Sequence, residues 1–200
     1  MTLPLPQSFY ACLSDDRLQI IADHLLKVRH QTMMQLTTEL DDNWVRETAC
    51  FGRSRNLLIS LATDRAYPWL GLINSNMDVT PTIDGVPFRF FRDDVEDPSK
   101  AGFFRRNAQD NLFAEDPAHP VMWRFIIDRA MSQDQEDRVV FAGYNVFQEK
   151  VSEWSLSSGN SIIYAVGNEV PPATPINPAT VDIWDDIELN DAQQKASNDK

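Results

Sequence analysis

Aromatic and arginine side chains lie together in the stretch Asp84–Asp94, the part of the sequence best suited to hold a ligand. The stretch carries Phe88, Arg89 and Arg92 and ends on two carboxylates, and Phe103–Arg106 repeats the pairing of phenylalanine with arginine. Guanidinium groups form paired hydrogen bonds with phosphate and carboxylate oxygens. These residue types at this spacing therefore predict a site for an anion.

Further arginines precede this stretch on a predicted helix. Arg46 and Arg53 are seven residues apart and so share a helical face. Helix and strand together predict a cationic, aromatic-lined groove formed by Arg46, Arg53, Arg55, Phe88, Arg89, Arg92, Arg105 and Arg106. The alternative is ordinary ion pairing, because residues 45–110 contain nine acidic as well as nine basic side chains.

Residues 167–200 differ in composition from the rest of the chain. Four prolines between residues 168 and 180 predict a stiff linker, followed by a disordered acidic tail. Within the tail, four apolar side chains at helical spacing predict a docking motif for a basic, apolar groove: Ile183, Trp184, Ile187 and Leu189. Packing of this segment on its own domain, including the arginine cluster, is an open alternative.

Motifs for catalysis and for transition-metal binding are missing from the sequence. The chain has no G-x-S-x-G stretch and only seven glycines, and its three histidines lack the spacing of metal ligands. We therefore predict no catalytic residue, no metal site and no cofactor. The acidic segment 93–97 has the oxygen ligands that Mg²⁺ prefers, but a solvated loop is the preferred interpretation.

Composition limits the classes of partner. Eighteen basic and thirty acidic residues give a formal charge of −12, which argues against binding to nucleic acid or to an anionic membrane. No window approaches the roughly 18 apolar residues of a membrane span, and the N-terminus lacks the features of a signal peptide. We expect a cytoplasmic protein in which Cys12 and Cys50 are reduced and buried.

Hydrophobic periodicity predicts an N-terminal helical hairpin over residues 14–63. Apolar residues recur every three or four positions from Leu18 to Leu40, after a helix start at Ser14. Asp41–Asn43 interrupts the pattern and begins a second helix, which runs from about 44 to 62. The apolar helical face either covers a sheet or makes a homodimer contact.

From residue 67 onward the pattern changes to that of strands. Apolar runs at 69–73, 122–129, 139–147 and 151–156, with a possible further strand at 161–166, predict a mainly antiparallel sheet region over 67–166. Pro87 predicts that its strand is an edge strand or begins there. Helices followed by strands indicate an α+β fold, with one domain over 1–166 and a tail over 167–200.

Three short segments resemble a group of bacterial proteins that share a GVP-x-RF-(aromatic)-RGD stretch. Here the stretch is Gly85–Asp94, with Asp93 where the group has glycine, and the other two segments are Arg55-Asn56 and Trp123-Arg124-Phe125. The resemblance implies a gene neighbourhood with helix-turn-helix regulators, of toxin–antitoxin, defence or mobile-element type. It implies no catalytic residue.

These observations predict a non-enzymatic protein-interaction component of a small bacterial operon, which binds a protein partner through the tail, the groove or both. The alternative is an enzyme or effector acting on a nucleotide or RNA. In that case the arginines would clamp phosphate, and Asp93 or Asp94 would bind Mg²⁺ or act as a base. The sequence identifies neither the partner nor the oligomeric state.

Overall fold

Two helices and six strands make up the computed structural model, which describes residues 2–106, 116–128 and 137–156. A short 3-10 turn at Pro6–Ser8 precedes α1 (Asp15–Gln35) and α2 (Asn43–Thr63). The strands are β1 (Leu70–Asn74), β2 (Thr80–Ile83), β3 (Val86–Asp93), β4 (Met122–Asp128), β5 (Val139–Tyr144) and β6 (Lys150–Ser155). The predicted α+β class, with a helical hairpin on a mostly antiparallel sheet, is confirmed.

All six strands form one sheet in chain order, β1-β2-β3-β4-β5-β6. Neighbouring strands are antiparallel except β3 and β4, which run parallel from Phe88 opposite Trp123 to Asp93 opposite Asp128. The antiparallel arrangement predicted for the sheet region is confirmed for the last three strands. The parallel pair was not predicted, and it requires the chain to cross over between residues 94 and 121.

The expectation that Pro87 places its strand at the sheet edge is wrong, because β3 lies between β2 and β4. The alternative, that the strand begins at Pro87, is correct to within one residue. Pro87 pairs with Thr82 and precedes the first residue that pairs with β4, Phe88. Its missing N–H therefore interrupts no hydrogen bond of the parallel ladder.

Helix α1 ends at Gln35, before the predicted end at residue 40, and Leu40 is 87% exposed rather than on the apolar face. The helix stops because a polar turn competes with it: Asp41 accepts hydrogen bonds from the backbone N–H and the hydroxyl of Thr38. The next carboxylate, Asp42, accepts from the backbone N–H of Val45 at 2.8 Å and so caps α2.

The start of α1 is fixed to the sheet by polar contacts. Ser14 occupies the predicted N-cap position, but its side chain makes no capping hydrogen bond. Asp15 in the first turn accepts a hydrogen bond from the indole N–H of Trp154 in β6, at 2.5 Å. Arg17 forms an ion pair with Asp84 in the turn between β2 and β3. These contacts orient the helical hairpin over one face of the sheet.

Apolar side chains cover both faces of the sheet. On one face, Phe88, Phe125 and Phe141 pack in a cluster with residues of α1 and α2 such as Leu18 and Leu58. The opposite face is covered by the first part of the crossover, where the buried Val95 and Phe103 pack in a second cluster with Met122 and Ile126 of β4 and Tyr144 of β5. The crossover segment 94–106 therefore acts as the second layer of the domain.

Other predictions have separate outcomes. Both cysteines are free thiols, with Cys50 buried and Cys12 half-buried. Within the described ranges, no helix is long and apolar enough to cross a bilayer. The possible strand at 161–166, the domain boundary at 166 and the tail lie outside the described residues.

Candidate anion-binding pocket

A pocket of about 470 Å³ opens between α2, β3, the loop before β2 and the crossover segment. Among the described residues, its charged lining is Arg29, Glu47, Asp78, Arg89, Arg92, Lys100 and Arg105. Its aromatic lining is Trp44, Phe51, Phe90 and Phe91. We call this site the Arg–aromatic pocket. Its volume falls in the range of about 300–1,000 Å³ that is usual for ligand sites.

The tight hairpin before β3 fixes which face each arginine occupies. Asp84 and Gly85 connect β2 to β3 with φ values of 45° and 87°, as a two-residue type I′ turn requires. From this turn the side chains of β3 alternate between the two faces of the sheet. Arg92 lies on the face of α2 and Arg89 on the face of the crossover, so the two guanidinium groups reach the pocket from opposite sides of β3.

Glu47 on α2 joins two of the basic side chains. Its carboxylate accepts hydrogen bonds from Arg29 Nη1 at 3.1 Å and from Arg92 Nη1. Arg29 also donates from Nε to Asp137 at 2.5 Å. Burial acts to lower the pKa of Arg29, but the charges of Asp137 and Glu47 outweigh it and raise that pKa. Arg29 therefore remains a cation in the wall of the pocket.

Asp78, in the loop before β2, makes the second shared ion pair. Its carboxylate lies 2.7 Å from Arg105 Nη1 and 3.9 Å from Arg89 Nη1. Arg105 and Asp78 are exposed at the mouth, whereas the Arg89 side chain is buried. Because exposed ion pairs contribute only about 0–1 kcal/mol, an incoming anion can exchange with Asp78 at low cost.

A buried carboxylate holds the crossover segment against the pocket. Asp93 is fully buried and accepts hydrogen bonds from the backbone N–H groups of Asp94, Ser99 and Lys100 at 2.7–3.0 Å. The expectation of a solvated acidic loop is therefore wrong for Asp93, because these N–H groups need an acceptor inside the fold. Asp93 places Lys100 in the pocket lining.

Arg124 in β4 also holds the crossover segment in place, as a hydrogen-bond donor where Asp93 is an acceptor. Its side chain is 1% exposed and donates to the carbonyl oxygens of Phe103 at 2.7 Å and Arg105 at 3.0 Å. These hydrogen bonds fix the backbone from which the Arg105 side chain reaches the pocket. Arg124 belongs to the Trp-Arg-Phe segment of the sequence, but its burial was not predicted.

The structure brings Arg89, Arg92 and Arg105 together and places the other five predicted groove residues elsewhere. Arg46 donates to the Leu36 carbonyl, Arg53 to Thr32 and Gln35, Arg55 to the carbonyls of Ser75 and Asn76, and Arg106 to the Val146 carbonyl, while Phe88 packs against Phe125 and Phe141. These four arginines connect neighbouring elements. A binding role for any of the eight stays a prediction.

Two basic residues of the lining were missed. Arg29 lies on the buried face of α1, between Leu25 and Thr32. A charged residue at an apolar position of a helical repeat was the signal for it, since such a residue requires a buried partner. Lys100 had no signal, because its position depends on the hydrogen bonds made by Asp93.

Cys50 also lines the pocket, but its environment does not favour a nucleophile. Its sulfur lies 3.9 Å from Arg29 Nη1. Burial nevertheless raises the pKa of the Cys50 thiol. A thiol with a raised pKa stays protonated at neutral pH, and the protonated form is unreactive.

The predicted docking residues Ile183, Trp184, Ile187 and Leu189 lie outside the described residues. No family model, no curated protein and no solved structure matches this chain. The resemblance to the bacterial group and its gene neighbourhood therefore stay predictions, and the functional argument rests on the Arg–aromatic pocket.

Proposed function

We propose that the protein is a non-enzymatic binding protein whose Arg–aromatic pocket takes an acidic segment of a protein partner. The observation that carries this proposal is the charge of the lining: among the described residues it has five basic and two acidic side chains, in a protein of net charge −12. A local cationic site in an acidic protein attracts an anion, while the remaining surface repels anions elsewhere.

The aromatic and apolar rim favours a peptide over a bare inorganic ion. Trp44 and Met77 both line the pocket, and both are 72% exposed. Large apolar side chains that remain exposed beside a pocket mark binding sites for apolar groups. An acidic segment with apolar neighbours provides a partner for both kinds of lining.

The acidic side chains of the pocket support binding rather than proton transfer. Glu47 and Asp78 are each ion-paired with two arginines. Asp93, one of the two candidate bases in the alternative hypothesis, already accepts three backbone N–H bonds. All three carboxylates therefore hold arginine side chains or backbone N–H groups in place, which is a structural role.

The proposal retains the acidic tail as a second contact with the partner. Trp184 and Ile187 are its central apolar residues. Their joint replacement by alanine in the full chain separates the contribution of the tail from that of the pocket. The operon context is an additional part of the prediction and is tested by the neighbouring genes.

The test is binding of acidic peptides to the full chain. An array of nine-residue peptides rich in Asp, Glu and apolar residues is probed with wild type, Arg92→Gln and a control, Arg53→Gln. Arg53 lies on the same helix as Glu47 but outside the pocket lining. We expect Arg92→Gln to weaken binding at least about tenfold, since it removes a charge-assisted contact, and Arg53→Gln to leave it unchanged.

Two results would contradict the proposal. Equal peptide binding by wild type and Arg92→Gln would show that the pocket is not the site. Binding of ATP or inorganic phosphate at concentrations where no acidic peptide binds would favour the phosphate-directed alternative.

A further inference from the structure

The ladder between β2 and β3 ends early. Its paired residues are Ile83 with Val86 and Thr82 with Pro87. The next residue of β2, Pro81, has no N–H to donate and so weakens the ladder beyond this point. On its other side β3 continues to pair with β4 as far as Asp93. In the described ranges, no strand pairs with β3 on the β2 side beyond Pro87.

Successive residues of a strand direct their main-chain N–H and C=O groups to opposite sides. This alternation identifies which groups of β3 face the side that β2 leaves unpaired. Ile83 and Val86 flank the two-residue turn and form a hydrogen-bonded pair, so even-numbered residues of β3 direct their N–H and C=O groups towards β2. Beyond the paired region these residues are Phe88, Phe90 and Arg92, of which Phe90 and Arg92 line the Arg–aromatic pocket. A residue spacing of two separates their main-chain groups by about 6.7 Å.

We infer that the partner's acidic segment binds as an added β-strand along this edge of β3, with two adjacent acidic residues facing opposite sides of the sheet. The inference rests on the proposed function and specifies the form of its ligand. Strand addition supplies main-chain hydrogen bonds, while side chains on alternate faces supply specificity.

The positions of the basic side chains explain why the ligand is expected to carry two adjacent acidic residues. Arg92 and Arg29 meet at Glu47 on the helical face of β3. Arg89 and Arg105 meet at Asp78 on the crossover side. Consecutive residues of an added strand point to opposite faces, so an Asp-Asp pair reaches both arginine pairs. Acids separated by one residue would meet only one of them.

The first test varies the ligand side chains. Fluorescein-labelled Gly-Ile-Asp-Asp-Ile-Gly and its isomer Gly-Asp-Ile-Asp-Ile-Gly are titrated into the full chain and followed by anisotropy. The two peptides have the same composition and charge. We expect the adjacent acids to bind about tenfold more tightly, the effect of one lost charged contact. Equal affinity would overturn the assignment of the two faces.

The second test varies the ligand main chain. Single N-methylation of the first or the second aspartate removes one N–H at a time, and these N–H groups face opposite edges of an added strand. We expect one of the two methylated peptides to lose about tenfold in affinity and the other to bind like the parent. If both methylated peptides bind equally, strand addition is refuted.

The controls distinguish failure of the strand model from failure of the proposed function. If Arg92→Gln weakens binding while both methylated peptides bind like the parent, the acidic ligand stands and the strand model fails. If neither acidic hexapeptide binds wild type at millimolar concentration, the strand model fails and the proposed function loses its support. Arg53→Gln serves again as the protein control.

Discussion

Replacing Glu47 by glutamine is expected to destabilise the fold and to strengthen anion binding. The Glu47 carboxylate lies between Arg29, at 3.1 Å, and Arg92. Glutamine keeps the shape and one acceptor oxygen but removes the charge. Arg29 retains Asp137 as a partner, whereas Arg92 loses its charged partner among the described residues.

The effects on stability and on anion binding differ in sign. The Glu47 carboxylate stabilises the fold by holding two arginines, but its negative charge repels an anionic ligand. Hydrogen bonds to charged groups contribute about 1.5–3 kcal/mol and neutral ones about 1 kcal/mol. Two weakened bonds therefore lower the free energy of unfolding by about 1–4 kcal/mol. For an anion about 7 Å away at an effective dielectric constant of about 40, removing the carboxylate charge favours binding by about 1 kcal/mol, or roughly fivefold.

The assays are urea unfolding and titration of the Asp-Asp hexapeptide by anisotropy. Glu39→Gln is the matched control, because Glu39 is exposed and lies outside the pocket lining. It makes the same change in net charge and is expected to alter neither quantity measurably. If Glu47→Gln weakened peptide binding, or if it matched the control in both assays, the account of the pocket charges would be refuted.

Three further predictions follow from buried and half-buried groups. Arg124→Leu leaves the carbonyls of segment 103–105 without their donor and is expected to lower the free energy of unfolding by about 2–4 kcal/mol; a urea midpoint equal to wild type would contradict this. Because burial raises the pKa of Cys50, we expect iodoacetamide to react with it about tenfold more slowly than with a free thiol; equal rates would show an activated cysteine. Burial lowers the pKa of His24, so its contribution to stability is present above the unfolded value of about 6.5 and is lost as pH falls below it. His24→Gln should therefore reduce the fall in Tm between about pH 7 and pH 5, and an unchanged pH profile would count against this assignment.

Most of the helices and strands that were predicted correctly follow from local sequence patterns. The helical hairpin follows from the period of α1 and α2, and the last three strands follow from apolar runs between polar turns. The end of α1 could not be predicted from periodicity, because a side-chain turn at Asp41 overrides an apolar pattern that continues to Leu40. The parallel pairing of β3 with β4 depends on a distant crossover, which local spacing does not encode.

The pocket was also predicted only in part, because local sequence spacing does not encode contacts between distant elements. Arg89 and Arg92 were found because they lie in one strand, and Arg105 because it follows a second aromatic pair. Arg29 and Lys100 reach the pocket from elements whose packing depends on tertiary contacts. Most predicted groove arginines outside β3 instead donate to backbone carbonyls. This was not predicted, because an arginine that binds a ligand and an arginine that connects two elements look alike in sequence.

The most direct test of the central claim changes only the ligand. Gly-Ile-Asp-Asp-Ile-Gly and its uncharged counterpart Gly-Ile-Asn-Asn-Ile-Gly are titrated into the wild-type full chain under identical conditions. In the part of the chain that the structure describes, the lining has five basic and two acidic side chains. This charge predicts that the aspartate peptide binds at least about tenfold more tightly and that added salt weakens its binding. Equal affinities of the two peptides would contradict the claim that the Arg–aromatic pocket recognises acidic groups.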